Sequence, residues 1–126
     1  MKKINLNKIS YTQMINKNVD EKFSKYVSIS DIFKLNGIQI FHEKLAPNTR
    51  ASNSHTHTHK EEIFFILLGK PTLFLNEESI ELEENDIIFF EPNNNEYHFL
   101  MNNTEEDVNY LIIAKNYESD RVYYKK

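Results

Sequence analysis

From Gly37 onward the chain breaks into short runs of β-forming residues: Ile38 to Leu45, Glu62 to Leu68, Thr72 to Leu75, Ser79 to Leu82, Asp86 to Phe90, Tyr97 to Leu100 and Val108 to Ala114. Runs of this length, rich in Ile, Phe, Leu and Tyr, suit strands rather than helices. Pro-Asn, Gly-Lys-Pro, Asn-Glu-Glu and Asn-Asn-Asn clusters separate them, and no long amphipathic helix intervenes. The pattern favours an all-β antiparallel sandwich or barrel over alternating strands and helices. Only two glycines, Gly37 and Gly69, are available for all these turns. Asparagine tolerates positive φ better than most residues with a Cβ. Asn48, Asn76, Asn85, Asn93, Asn94 and Asn95, all in the proposed turns, are therefore expected to take the left-handed positions.

A chain of 126 residues holds one core and, with it, one site. Residues 1–36 are less patterned, with Phe23, Tyr26, Val27, Ile29, Ile32 and Phe33 as anchors. They are expected to form an N-terminal extension that adds edge strands or a short helix, packed on the barrel of residues 37–126 or against a second subunit. The net charge of −4 and the lack of a lysine and arginine block argue against nucleic acid as a partner. The longest purely apolar run, Ile63 to Leu68, falls far short of a membrane span, and residues 1–13 lack the apolar centre of a signal peptide. A cytoplasmic location is the expectation.

The chain has no cysteine, so any metal must sit on nitrogen and oxygen. Histidines alternate in Ser-His55-Thr-His57-Thr-His59, and His98 follows some forty residues later. In an extended strand alternate side chains share a face, so His55 and His57 can aim at one ion. Glu62 opens an apolar run in which Glu62, Phe64, Ile66 and Leu68 are expected on one inward face. A bare carboxylate there would cost several kcal/mol, and a cation would remove most of that penalty. Glu61 is the inward carboxylate if the register slips by one. The competing reading of the histidine run is an exposed loop that binds metal adventitiously, and that of His98 an ordinary barrel histidine.

These residues resemble the cupin superfamily, whose first motif reads G-x5-H-x-H-x3/4-E-x6-G and whose second reads G-x5-P-x-G-x2-H-x3-N. His55, His57, Glu62 and Gly69 match the first from its first histidine onward, with Pro47-Asn48 near the place of the missing glycine. In the second, Asn85 replaces the first glycine, Glu91-Pro92-Asn93-Asn94 replaces Pro-x-Gly, the following turn carries one or two extra residues, and His98 to Asn102 matches the ending. The resemblance covers roughly residues 37–115. It also extends to small bacterial cupins with a D-R-x-x-Y tail, here Asp120-Arg121-Val-Tyr123-Tyr124. It implies a double-stranded β-helix, a divalent metal (Mn, Fe, Zn, Ni, Co or Cu) on His55, His57, Glu62 and His98, and a homodimer.

The resemblance further implies isomerases or epimerases, dioxygenases and decarboxylases acting on a small molecule. Beside these stand a non-enzymatic module that binds or senses a sugar or organic acid and a metal-free interaction protein. His59, Tyr97 and Tyr110 are candidates to support the metal or move protons, against a reading as turn and packing residues. Arg50 is a candidate clamp for an anionic substrate, against a surface role. A pocket of aromatics with one cation would point to an anionic substrate, and an all-apolar pocket to an aromatic one.

Overall fold

The computed structural model describes residues 1–92 and 95–125. Twelve strands form two antiparallel sheets: β1 Thr12–Asn16, β2 Glu21–Ser28, β3 Ile38–Leu45, β4 Thr49–Arg50, β5 His55–His57, β6 Glu62–Leu68, β7 Thr72–Leu75, β8 Glu78–Glu81, β9 Ile87–Phe90, β10 His98–Asn102, β11 Val108–Lys115 and β12 Val122–Tyr124. One sheet runs β1-β2-β3-β11-β6-β9; the other runs β12-β5-β10-β7-β8, with β4 also paired to β10. The sheets face one another as an open, jelly-roll-like barrel. The fold class read from the sequence is therefore observed.

Residues 1–36 supply both kinds of element: β1 and β2 extend the first sheet from β3, and a short helix, α1 Ile29–Phe33, leads into it. Ser28 caps this helix by accepting from the Asp31 amide. The core lies between the sheets, where Leu45, Phe64, Ile66, Leu73, Leu100 and Val108 are among its packed apolar residues.

Four of the six asparagines expected in turns have positive φ: Asn48 (57°), Asn76 (53°), Asn85 (74°) and Asn95 (59°). Asn93 and Asn94 lie outside the described residues. Asp20 and Lys34 also adopt positive φ. The expected inward face of β6 needs one correction. Glu62, Phe64 and Ile66 are buried, but Leu68 is exposed. Tyr110 pairs with Ile66 and its neighbour Asn109 with Leu68, so Leu67 is an extra residue opposite that step. The extra residue breaks the two-residue alternation and turns Leu68 outward.

Asn102, at the end of the second motif, is fully buried. Its amide donates to the carbonyls of Leu45 and Glu106, and its side-chain oxygen accepts from Thr104. This latch fixes the turn that joins β10 to β11.

Candidate metal centre

β5, β6 and β10 bring the site together. His98 pairs with His55 across β10 and β5, which puts both rings on the inner side of one sheet. Glu62 faces them from the first residue of β6 in the other sheet, while Glu61 points outward to solvent. One donor atom from each of His55, Glu62 and His98 lies within 4.8 Å of the other two. His57 reaches the same carboxylate, with Nε2 3.1 Å from Glu62 Oε1, and His98 Nε2 stands 3.8 Å from it.

His57, Glu62 and His98 are all buried. Their contacts lack hydrogen-bond alignment, so Glu62 Oε1 and His98 Nε2 have no hydrogen-bond partner among the described residues. Buried polar atoms left in this state cost free energy. A divalent ion at the point of convergence would satisfy both, and a set of imidazoles with one carboxylate suits a first-row transition metal. The residues present therefore fit the group that the motif implies.

Each ring is also oriented from behind. His57 Nδ1 lies 2.8 Å from Asp120 Oδ2, and Asp120 Oδ1 accepts from the amides of His59 and Lys60 at 2.9 Å. His55 Nδ1 lies 2.8 Å from the Asn53 carbonyl. Such contacts fix which ring nitrogen is left for an ion. Phe90 stacks on the His98 ring at 3.7 Å between centroids.

Burial, followed by the neighbouring His98, lowers the His55 pKa to about 4, so this ring is neutral and has a lone pair to donate. Burial works to raise the Glu62 carboxyl, but His57 and His98 outweigh it and hold the group well below the usual carboxylate range. Burial works to lower His57, yet Glu62 and Asp120 raise it overall.

The site opens into a cavity of about 330 Å³ between the sheets. Tyr110 lines it, whereas Tyr97 and the exposed His59 do not. The Tyr97 amide is held by Asn76, and His59 Nδ1 lies 2.7 Å from Thr58 Oγ1. Arg50 is half-buried outside the cavity and donates to both oxygens of Glu21, at 2.8 and 2.9 Å.

Two residues without a role in the sequence reading join the site. Asp120 arrives because β12 pairs with β5; the sequence marked it only as part of the tail motif. Glu43 lines the cavity and accepts from the Tyr110 hydroxyl at 2.7 Å and the Ser24 hydroxyl at 2.8 Å, both at Oε1. Its signal was a charged residue between Phe41 and Leu45 on the inward face of a β run.

A protein-family profile described as cupin domain matches residues 41–114. Among solved structures, the chain is similar to a cupin-superfamily sugar phosphate isomerase from Silicibacter pomeroyi, with a TM-score of 0.88, 18% identity, and coverage of 99% of this chain and 82% of that one. It is similar to a polyketide cyclase from Streptomyces resistomycificus, with a TM-score of 0.78, 17% identity, and coverage of 100% and 87%. It is also similar to a protein from Thermotoga maritima described as a predicted oxalate decarboxylase, with a TM-score of 0.75, 18% identity, and coverage of 92% and 100%. At these identities the likeness is one of fold. Among curated proteins, no sequence matches significantly.

Proposed function

This chain belongs to the cupin family, and from that premise we propose that it is a metal-dependent cupin acting on a small molecule held in its barrel. The ion is a divalent one of the Mn, Fe, Co, Ni, Cu or Zn group, bound by His55, His57, Glu62 and His98. The observation that carries the reading is the convergence of buried Glu62 Oε1 and His98 Nε2, both without a hydrogen-bond partner among the described residues, beside two further imidazoles. When bound, such an ion supplies Lewis acidity to a substrate oxygen. The protein supplies the rest: Asp120 and Asn53 hold the rings of His57 and His55, and Phe90 flanks that of His98.

Within the family, the isomerase or epimerase, dioxygenase and decarboxylase classes are the reactions we propose for it. The sugar phosphate isomerase, oxalate decarboxylase and polyketide cyclase names of the similar structures support that range. A cytoplasmic setting and a homodimer belong to the same proposal. Support for the dimer comes from an exposed apolar face on the first sheet, where Ile113, Ile63 and Phe89 form one cross-strand row and Leu111, Phe65 and Ile87 the next. Phe89 is 50% exposed and Ile87 62%, and contiguous exposed apolar residues of this kind favour association.

The test is elemental analysis of protein purified without chelators, alongside a His98→Ala variant. About one ion per chain in the native protein and a large loss in the variant is the expected result; no ion in either refutes the metal centre. The loaded protein is then assayed for consumption of dioxygen, sugar phosphates, dicarboxylates and neutral aromatic carbonyl and phenolic compounds. Binding without turnover across that panel would select a sensing or carrier role instead.

A further inference from the structure

The cavity has two polar ends and an apolar body. His55, Glu62 and His98 stand at one end, with Ser24, Glu43 and Tyr110 at the other. The register sets the distance between them. Tyr110 lies opposite both Glu43 and Ile66, whereas Glu62 lies opposite Ala114, so the two carboxyls are offset along the sheet and separated by β11. Met14, Tyr26, Phe41, Phe99, Leu100 and Ile112 contribute to the wall between them.

Among the described lining residues there is no lysine or arginine. The guanidinium of Arg50 is already engaged by Glu21, and Asn53 accepts from it as well. A divalent ion, the Glu62 carboxylate and the Asp120 carboxylate behind His57 leave that end without net positive charge, which suits an oxygen of an uncharged ligand. A negative charge further along would lie among apolar side chains with no cation among the described lining residues to offset it, at a cost of several kcal/mol.

Glu43 supplies the opposite polarity. Its Oε1 already accepts from Tyr110 and Ser24, and among the described residues neither donor reaches Oε2. An oxygen that accepts two hydrogen bonds is the poorer seat for a proton, so the proton of the neutral acid sits on Oε2. Burial raises the Glu43 pKa, against the hydrogen bonds from Tyr110 and Ser24 that work to lower it, and so favours that neutral form. The buried Tyr110 hydroxyl likewise keeps its proton.

We infer that the cavity takes an uncharged, predominantly apolar molecule, aromatic or similar in character, that offers an oxygen at the His55–Glu62–His98 end and an acceptor oxygen to the Glu43 carboxyl at the other. Phosphorylated sugars and dicarboxylates are excluded as the preferred ligands. The inference rests on the proposed metal centre only for the oxygen at the first end.

The test has two arms. In the first, metal-stripped protein at pH 7 is titrated with acetophenone and with benzoate, followed through aromatic ring signals by NMR. Acetophenone is expected to saturate and to bind about tenfold more tightly than benzoate or better. Glu43→Gln, which keeps both a donor and an acceptor, stays within about twofold of the native protein, while Glu43→Ala weakens acetophenone about five- to tenfold. A thermal melt checks that Glu43→Ala is folded, and the comparison of the two ligands on native protein does not depend on it.

In the second arm, zinc-loaded protein is titrated with catechol and with 3,4-dihydroxybenzoate, which share a chelating pair and differ in the charge of the body. Catechol is expected to bind about tenfold more tightly or better. Equal or tighter binding of either carboxylate, displacement of the neutral ligands by glucose 6-phosphate, or failure of acetophenone to saturate overturns the inference. The first arm needs no ion. If zinc does not load while acetophenone is still selected, the metal centre falls and the ligand class stands.

Discussion

Glu62 Oε1 is the atom on which the candidate centre turns, because His57 and His98 both approach it and neither forms an aligned hydrogen bond to it. Behind it, Asp120 holds His57 from 63 residues away in sequence. Replacing Asp120 by Ala leaves the four proposed ligands in place but frees the His57 ring. Metal affinity is expected to fall about 10- to 100-fold, measured by competition with a chromophoric chelator, with a smaller loss for Asp120→Asn. Glu62 and Asp120 raise the His57 pKa, so an ion competes with a proton for that ring and loading is expected to weaken as pH falls. Glu43 gives a pH effect of opposite sense in stability. Its native pKa lies above the ordinary carboxylate value, so the native state binds more protons than the unfolded one between those two values. The contribution is fully present below the ordinary value and is lost as pH rises through the native one. The stability of Glu43→Gln relative to the native protein should therefore increase from pH 5 to pH 8, read from urea midpoints. A constant difference would show that Glu43 ionises as freely in the fold as outside it.

Among the elements, the seven runs read between Ile38 and Ala114 all form strands, β3 and β6 to β11, whereas β1, β2, β4, β5 and β12 were not placed. β3, β6, β7 and β11 fall within a residue of where their sequences put them, because each packs a face of large apolar side chains. β1 is largely exposed on both faces, and β4, β5 and β12 span two or three residues, too few to display any period. For the same reason the role of Asp120 was hidden: only the pairing of β12 with β5 brings it to His57. Of the candidate site, His55, His57 and Glu62 were read from local spacing, since the two histidines alternate on one strand and Glu62 opens the next, while His98 entered through the second motif of the resemblance. The bulge at Leu67 was not legible, because an extra residue leaves no mark in a uniformly apolar run. Gly69 follows it at φ +85°, and a Cβ there would stand 2.6 Å from the Asp107 carbonyl oxygen and 2.8 Å from Val108 Cγ2. Gly69→Ala is expected to cost about 2 kcal/mol or more, measured by urea unfolding. At Asn85 and Asn76, which adopt the left-handed region with a Cβ, Gly is expected to be tolerated.

For the whole molecule, the outer face of the first sheet governs association. Rows Ile113–Ile63–Phe89 and Leu111–Phe65–Ile87 end at β9, an edge strand that presents unpaired backbone groups. Phe89→Lys should convert the proposed dimer to monomer at micromolar concentration in light scattering without loss of metal. A native protein that is already monomeric would refute this use of the face. The distribution of the four candidate ligands matters at the same scale. His55, His57 and His98 belong to one sheet and Glu62 to the other, so a cation there would act as a rivet through two plates otherwise joined by side-chain packing and by bonds such as Asn102 to the Leu45 carbonyl and Arg50 to Glu21. Saturation at about 100 times the dissociation constant would add about 2.7 kcal/mol to the folded state. Amide exchange should slow on both plates together, making the ion a brake on their separation as well as a reagent.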